Sequence, residues 1–314
     1  MRTSSALYLL SCAALASLVL ISCANPTSAD REIAAASLPQ AASEDAEIVI
    51  DESSGSIKPL WPVAGHRSVA AIAAAQWGLS SGRAAVISDG SDDPDVYQSG
   101  IDNGFNQQWS HAYIYDRWFG TSFYLWGDAD EDFKDNLDGP LDGEGYDGKY
   151  AGYWYAAGDQ GKGDAWLGIA LHFIEDVSLT LHSTAPTSVG LTVPMKTVDM
   201  LAKHFAFEEW VDANLTSGHC LLDAVESDYY YYAVTDPKTA LKNAAWASCA
   251  YKGSSSVGYL AWKAYRDSGY PTGAGTGSAT LVTNTKKMLI ASGRYAKGAI
   301  KYALDKYGQW SSAY

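Results

Sequence analysis

The stretch DAWLGIALHFIEDVSLTLH, residues 164–182, decides the fold. It is apolar on all sides, which predicts a helix that neighbouring elements cover completely. His172 and Asp176 interrupt it four residues apart, so a helix places both side chains on one face, one turn apart. A carboxylate at such a position is unfavourable unless it is paired or binds a metal ion. Glu175 points to a different side of this helix, where it can be solvated.

Other segments show the sequence signals of further helices, and few segments show the signals of strands. Residues 88–163, rich in Asp, Gly and Tyr, are expected to be mostly loop, and YYYYAV at 229–234 is the best strand candidate. We therefore predict an all-α, single-domain multi-helix bundle with long loops. The expected helices are His66–Trp77, one opened by Thr192-Val193-Pro194 and running to about Leu215, one from Asp236-Pro237 to near Lys252-Gly253, and 279–307, ended by Gly308.

The N-terminal residues differ in composition from the remainder. Arg2 followed by an apolar run indicates a secretory signal peptide over residues 1–23 and a secreted protein. The segment ending at Cys23 also resembles a bacterial lipoprotein processing site, which would anchor the chain at the cell surface through that cysteine. Residues 24–60 lack aromatic residues and favour a propeptide or linker. Composition changes sharply at Trp61, where a domain of residues 61–314 is predicted to begin.

Charge and cysteine content limit the possible partners. The formal net charge of -14 argues against a stable nucleic-acid partner and against electrostatic docking on anionic lipid. With 47% hydrophobic residues among 314, the chain can bury a sizeable core. Beyond the signal region, Cys220 and Cys249 either form a disulfide in an oxidising compartment or remain two buried thiols.

A second histidine–acid pair strengthens the metal hypothesis. His204 and Glu208 repeat the spacing of four on the next predicted helix, on a face that points inward. Two such pairs on buried helices are a common ligand supply for a metal site in a helical bundle. Imidazole with carboxylate suits zinc, whereas calcium prefers oxygen ligands alone. The Asp-rich segment 128–148 could bind calcium instead, or be a solvated loop.

The order and spacing of these motifs resemble the bacterial zinc-dependent phospholipase C family, which is related to fungal single-strand zinc nucleases. The resemblance covers residues 61–314. Its anchors are Trp61-Pro-Val-Ala-Gly-His66, Gly90-Ser-Asp-Asp-Pro-Asp95, Ser110-His111, Leu171-His172-Phe-Ile-Glu-Asp176 with His182, and His204-Phe-Ala-Phe-Glu208. His219 matches nothing in the family pattern and is expected to be an ordinary surface or capping residue.

The resemblance implies a cluster of three zinc ions and a role for each anchor. One ion would be held by Asp95, His111, His172 and Asp176, a second by Asp176 as a bridge with His66 and Trp61, and a third by His182, His204 and Glu208. In the family the mature chain begins at this Trp, whose α-amino group and carbonyl oxygen bind metal. Residues 24–60 would then be a propeptide removed to complete the site. His182, ten residues after His172, would point about 80° away on a continuing helix and serve a different ion.

The implied activity is hydrolysis of the glycerol–phosphate ester of phospholipids by zinc-activated water, with Asp95 orienting or deprotonating that water. Asp93 and Asp102 are alternatives for this loop ligand. The substrate would be phosphatidylcholine-type lipid at a membrane or micelle surface, cleaved by a monomer. Val96 departs from choline-selective members, which carry an aromatic residue there. Two alternatives stay open: a single-strand-specific zinc nuclease, and a non-catalytic zinc-binding surface lipoprotein.

Overall fold

The computed structural model describes residues 32–33, 63–97, 111–118, 121–139, 150–184 and 197–310, all of them within one compact unit, Glu32–Tyr314. The predicted signal peptide, most of the predicted propeptide and Trp61 lie outside the described residues. So does the side chain of Asp95, whose backbone belongs to a helix.

The described chain is mostly helical, which confirms the predicted all-α class. The helices are α1 Val63–Gln76, α2 Ser81–Tyr97, α3 Ala129–Asp138, α4 Ala151–Ala156, α5 Gln160–Val177, α6 Thr197–Ala213, α7 Asp223–Glu226, α8 Pro237–Ser248, α9 Val257–Asp267 and α10 Ala279–Tyr307, with 3₁₀ turns at Thr180–His182 and Ala250–Lys252. The strands are β1 Glu32–Ile33, β2 Ile114–Trp118, β3 Thr121–Trp126 and β4 Tyr231–Tyr232. They form two antiparallel pairs, β2 with β3 and β1 with β4.

Helix α5 lies at the centre of the bundle, as its apolar sequence predicted. It packs against α2, α3, α4, α8 and α10, and Leu171 and Ile174 are fully buried. The side chain of Asp159 caps its N-terminus by accepting from the backbone N–H of Lys162 at 3.0 Å. The predicted extension of this helix to residue 182 is wrong. It ends at Val177, and His182 lies on the 3₁₀ turn that follows.

Two glycines let α2 and α5 approach unusually closely. A Cβ atom on Gly90 would lie 2.3 Å from the carbonyl oxygen of Ala165, and one on Gly168 would lie 2.2 Å from the carbonyl oxygen of Ile87. Any larger residue would therefore have to push the two backbones apart. The close contact places the carbonyl of Ser91 beside the face of α5 that carries His172.

The predicted loop-rich region 88–163 contains more regular structure than expected. It includes the end of α2, the β2–β3 hairpin, α3 and α4. Helix α2 contains Gly, Ser, Asp and Pro94, all poor helix formers, and its packing on α5 outweighs those local preferences. The helix expected from Asp236-Pro237 to near Lys252-Gly253 ends at Ser248, and the 3₁₀ turn Ala250–Lys252 follows it. The helix expected from Thr192 begins at Thr197.

The C-terminal helix follows its prediction closely. It spans Ala279–Tyr307, and Gly308 ends it in the left-handed conformation at φ 66°, which glycine adopts without strain. Just beyond it, the carbonyl of Gln309 accepts from the buried Arg83 guanidinium at 2.7 Å. Arg83 also makes a bidentate pair with Asp164 at 2.8 Å for both contacts, which ties the end of the chain to α2 and α5.

The first part of the Asp-rich segment is a helix and not a solvated loop. Asp130 and Asp132 are buried within α3, and Asp130 pairs with Lys242 of α8 at 3.0 Å. Residues 140–149 lie outside the described residues. Cys220 and Cys249 are free thiols, the first half-buried and the second buried, so the disulfide alternative is not seen. In the part of the chain that is described, none of the helices has the length and apolar character needed to cross a membrane.

Candidate metal centre

Seven of the predicted ligand side chains meet in one buried cluster, although they come from five different parts of the chain. His66 lies on α1, His111 precedes β2, His182 is on the 3₁₀ turn after α5, and the remaining pairs are on α5 and α6. The cluster comprises His66, His111, His172, Asp176, His182, His204 and Glu208. The other two predicted ligands, Trp61 and the side chain of Asp95, fall outside the described residues.

One oxygen of Asp176 and two histidine nitrogens form a first triangle of ligand atoms. Its Oδ2 lies 2.8 Å from Nδ1 of His111 and 3.1 Å from Nε2 of His172. Those two ring nitrogens are themselves 2.7 Å apart. The spacing of four between His172 and Asp176 accordingly places both groups at the same point, as the sequence predicted.

A second triangle is built on Glu208. Its Oε1 lies 2.8 Å from Nε2 of His182 and 2.6 Å from Nε2 of His204. The two histidine nitrogens are 2.9 Å apart. The predicted third-ion group is therefore assembled residue for residue, with His182 brought in by the turn after α5 and the other two by α6.

Asp176 connects the two triangles through its other oxygen. Oδ1 lies 3.2 Å from Nε2 of His66 and 3.6 Å from Nε2 of His182. The ring of His66 also stacks on that of His172, with centroids 4.0 Å apart. One carboxylate thus contacts histidines from each of the three predicted ion sites.

Hydrogen bonds on the far side of the rings fix which nitrogen faces the cluster. Nδ1 of His172 donates to the carbonyl of Ser91 at 2.8 Å, and Nδ1 of His182 donates to the carbonyl of His111 at 2.8 Å. A carbonyl oxygen only accepts, so Nδ1 carries the proton in both rings. In the neutral ring, Nε2 then presents a lone pair to the cluster. Such outer hydrogen bonds are typical of metal-binding histidines.

The triangles are electrostatically unfavourable without a cation. Each contains two ring nitrogens and one carboxylate oxygen in mutual contact at 2.6–3.1 Å. If one nitrogen carries a proton, its bond to one neighbour leaves the other two atoms facing each other with lone pairs. If both carry protons, the two N–H groups face each other. A cation bound by all three atoms would offset their mutual repulsion, which is the reason to regard each triangle as part of a metal site.

Glu175 could be solvated on its side of the helix according to the sequence, but the structure places it in the core. It is fully buried, and Oε2 lies 2.8 Å from Nδ1 of His66. Burial raises the pKa of Glu175 to about 7, with the hydrogen bond from His66 opposing part of that rise. The available sequence signal was an acid within an otherwise apolar helix, which is costly wherever the helix is covered on all sides.

The charges of the cluster influence one another strongly. Burial acts to raise the pKa of Asp176, but the nearby imidazoles, foremost His182 and His172, hold it well below its usual range. Burial acts to lower the pKa of His66, yet its contacts with Asp176 and Glu175 raise it well above the ordinary value. Asp176 therefore carries negative charge that bound protons or a metal ion must balance.

The geometry supports metal binding at two places. His66, His172 and Asp176 form one group of converging ligand atoms, and His182, His204 and Glu208 form another. Either group can hold a metal ion. The side chain of His204 is 15% exposed, against 4% or less for the six others, so solvent approaches the second group more readily than the first.

His219, predicted to be an ordinary surface or capping residue, lies apart from these contacts. Its Nε2 donates to the carbonyl of Thr276 at 2.8 Å, within the segment that precedes α10.

No protein-family model matches this chain, and no curated protein matches it with significance. Function is therefore inferred from the residues and their geometry.

Proposed function

We propose that this protein is a secreted zinc-dependent hydrolase of phosphate esters, of phospholipase C type, that cleaves phosphatidylcholine-type lipids at a membrane or micelle surface. The observation that carries the proposal is the pair of nitrogen–carboxylate triangles connected by Asp176. Mixed imidazole and carboxylate ligands favour zinc over calcium or magnesium. The similarity of the spaced motifs to the phospholipase C family supports the reaction class.

Two groups of converging ligand atoms support a metal centre, and we propose three ions in it, as the resemblance implies. His111, His172 and Asp176 would hold one ion together with Asp95; Asp176 and His66 would hold a second together with Trp61; and His182, His204 and Glu208 would hold the third. Zinc in such a site lowers the pKa of a coordinated water and neutralises charge on phosphoryl oxygens. Because Asp176 offers separate oxygens to His66 and to the His111–His172 pair, it suits the bridging role.

The chain's own groups provide the orientation and charge that such a reaction needs. The hydrogen bonds to Ser91 and His111 hold two histidine rings in place before substrate arrives, so little reorganisation remains for the reaction itself. The negative charge of Asp176 would repel an anionic phosphate unless cations are bound, which makes metal loading a condition for substrate binding. The greater exposure of His204 favours entry of the ester at that side.

Two parts of the proposal rest on residues beyond those described. Asp95 would orient or deprotonate the attacking water, and the α-amino group of Trp61 would bind metal once residues 24–60 are removed. The uncleaved form would then be a zymogen. A non-catalytic surface lipoprotein would instead keep these residues and the lipid on Cys23.

Phosphocholine release from phosphatidylcholine vesicles tests the activity. Protein starting at Trp61 would be compared as isolated, after chelation and after chelation followed by added zinc, with single-stranded DNA as a second substrate in parallel. We expect release that chelation abolishes and zinc restores. Cleavage of DNA without lipid cleavage would replace the phospholipase by the nuclease alternative. Zinc-loaded protein that cleaves neither substrate would contradict the proposal.

A second comparison addresses maturation. Protein starting at Ala24 keeps the predicted propeptide, and we expect it to bind less zinc and release no phosphocholine until the chain is cut before Trp61. Mass spectrometry of protein from the culture medium would give the N-terminal residue directly. Full activity in a form that retains residues 24–60 would refute the zymogen hypothesis and leave the metal site itself untouched.

A further inference from the structure

Glu175 contacts the metal cluster without belonging to either group of converging ligand atoms. Its Oε2 accepts from Nδ1 of His66 at 2.8 Å, and both side chains are completely buried. Its other oxygen, Oε1, is buried with no hydrogen-bond partner in the described part of the chain. A buried carboxylate with half of its acceptor capacity unused is a costly way to fill space on the central helix.

The ring of His66 is held from three directions. Glu175 contacts Nδ1, Asp176 contacts Nε2 at 3.2 Å, and the ring of His172 stacks on one face. Glu175 and Asp176 are consecutive residues of α5, so the same helical turn holds both nitrogens of one imidazole. A carboxylate at Nδ1 favours a proton at that nitrogen. When a metal ion replaces the proton on Nε2, that nitrogen then presents its lone pair on the side where Asp176 lies.

The group that accepts from Nδ1 is of another kind in two other histidines of the cluster. His172 and His182 use backbone carbonyls, of Ser91 and His111 respectively, as the partners of Nδ1. His66 has a carboxylate instead, which is a stronger acceptor and raises the basicity of the ring. Removing it would leave the rotation and tautomer of His66 less defined while its position on α1 stays the same.

We propose that Glu175 is a positioning residue that orients His66 for metal binding through Nε2. The inference rests on the proposed zinc site. Removal of Glu175 should weaken metal binding, and it should also destabilise the metal-free protein because it breaks one side of a fully buried pair. The two effects are distinct, since only the first depends on the orientation and tautomer of the His66 ring.

The variants Glu175→Leu and Glu175→Gln separate these effects. Leucine removes the acceptor, whereas the glutamine side-chain oxygen can still accept from Nδ1 of His66. Ser178→Ala is the matched control, because Ser178 is a buried polar residue just after α5 whose hydroxyl donates to the carbonyl of Ile174 at 2.7 Å and not to the metal cluster. Each protein would be studied by competitive zinc titration, by thermal unfolding in chelator, and by ¹⁵N spectra of the histidine rings with zinc bound.

We expect Glu175→Leu to weaken zinc binding at one site about 10- to 100-fold, the range seen for outer partners of metal ligands. Glu175→Gln should recover part of that loss, Ser178→Ala should bind zinc as wild type does, and the His66 spectrum should show mixed tautomers only in the leucine variant. Equal affinity and the same His66 tautomer in wild type and Glu175→Leu would overturn the inference while the zinc site stands. Loss of a whole zinc equivalent in the glutamine and leucine variants alike would also overturn it, because Glu175 would then be a direct ligand. Failure of wild type to bind zinc would refute the proposed function itself.

Discussion

Nε2 of His182 lies 3.6 Å from Oδ1 of Asp176, and this contact joins the two halves of the metal cluster. His182 also belongs to the triangle on Glu208, while Asp176 contacts His66, His111 and His172. The two carboxylates therefore occupy unequal positions. Asp176 is shared by several groups, and Glu208 serves one.

The zinc content of two variants should show that Asp176 serves more ions than Glu208. We expect Asp176→Asn to lose about two zinc equivalents and Glu208→Gln to lose about one, because a bridging carboxylate serves two ions under the proposed assignment. Asp212→Asn is the control, since Asp212 follows Glu208 by four residues on α6 and belongs to neither candidate group. Atomic absorption after dialysis measures the content. Equal losses in the two cluster variants would argue against the bridge.

The close packing of α2 on α5 should be required for the metal centre. In Gly90→Ala, the new Cβ would lie 2.3 Å from the carbonyl oxygen of Ala165, so the helices must separate and the Ser91 carbonyl must move from Nδ1 of His172. We expect destabilisation by about 1–3 kcal/mol, as for overpacked cores, together with weaker zinc binding. Gly273→Ala, whose Cβ would meet nothing closer than 3.7 Å, should change neither. Urea unfolding and zinc titration report the two effects.

The buried ion pair between Arg83 and Asp164 should be a major determinant of stability. Asp164→Ala removes the bidentate partner of Arg83 and the acceptor of the Tyr155 hydroxyl, leaving a buried charge uncompensated. We expect a loss of about 3–5 kcal/mol in the free energy of unfolding. Asp159→Ala removes the exposed cap of α5 and an exposed ion pair with Lys162, and this change should cost less stability than the loss of the buried pair. A smaller effect for Asp164→Ala than for Asp159→Ala in denaturant unfolding would contradict the prediction.

Stability should depend on pH through Lys297. Burial lowers the pKa of this lysine to about 8, and the charge of Asp228 opposes only part of that shift. An unfolded lysine has a pKa of about 10.4. Between these values the unfolded chain binds more protons than the folded chain, so the free energy of unfolding should rise as the pH rises from about 8 toward 10.

The variant Lys297→Met should lose this rise. Lys301→Met is the control, because Lys301 lies on the same helix, with its ammonium group 2.6 Å from Asp305 near the surface. Denaturant unfolding at several pH values up to 9.5 would measure the slope for each protein. Identical slopes in wild type and Lys297→Met would show that Lys297 is not responsible.

The two cysteines should differ in reactivity. Cys249 is fully buried, and burial raises the pKa of its thiol to about 11, which leaves little reactive thiolate at neutral pH. Cys220 is half-buried. In the chain starting at Trp61, which has no other cysteine, a thiol reagent should modify Cys220 in the native protein and both residues after unfolding. The variant Cys220→Ser should show no rapid reaction. Absence of any thiol after unfolding without reductant would mean that the two form a disulfide.

The spacing of residues along the sequence was sufficient to predict some features of this protein. The intervals His172–Asp176 and His204–Glu208 brought each pair together because residues four apart meet on any α-helix. Apolar residues on every side of α5 predicted its burial, and Gly308 marked the end of α10 because glycine readily adopts the left-handed conformation required there.

Other features depended on residues far apart in the chain. Helix α5 ends at Val177, and beyond it the carbonyl of His182 accepts from the backbone N–H of Tyr113 at 3.0 Å. The periodicity of the sequence does not predict this contact. The partnership of Glu175 with His66 spans 109 positions. Sequence alone determined which side chains share a face of one helix, since that follows from the pitch. Only the tertiary structure decided which faces meet, because that depends on how closely whole helices pack.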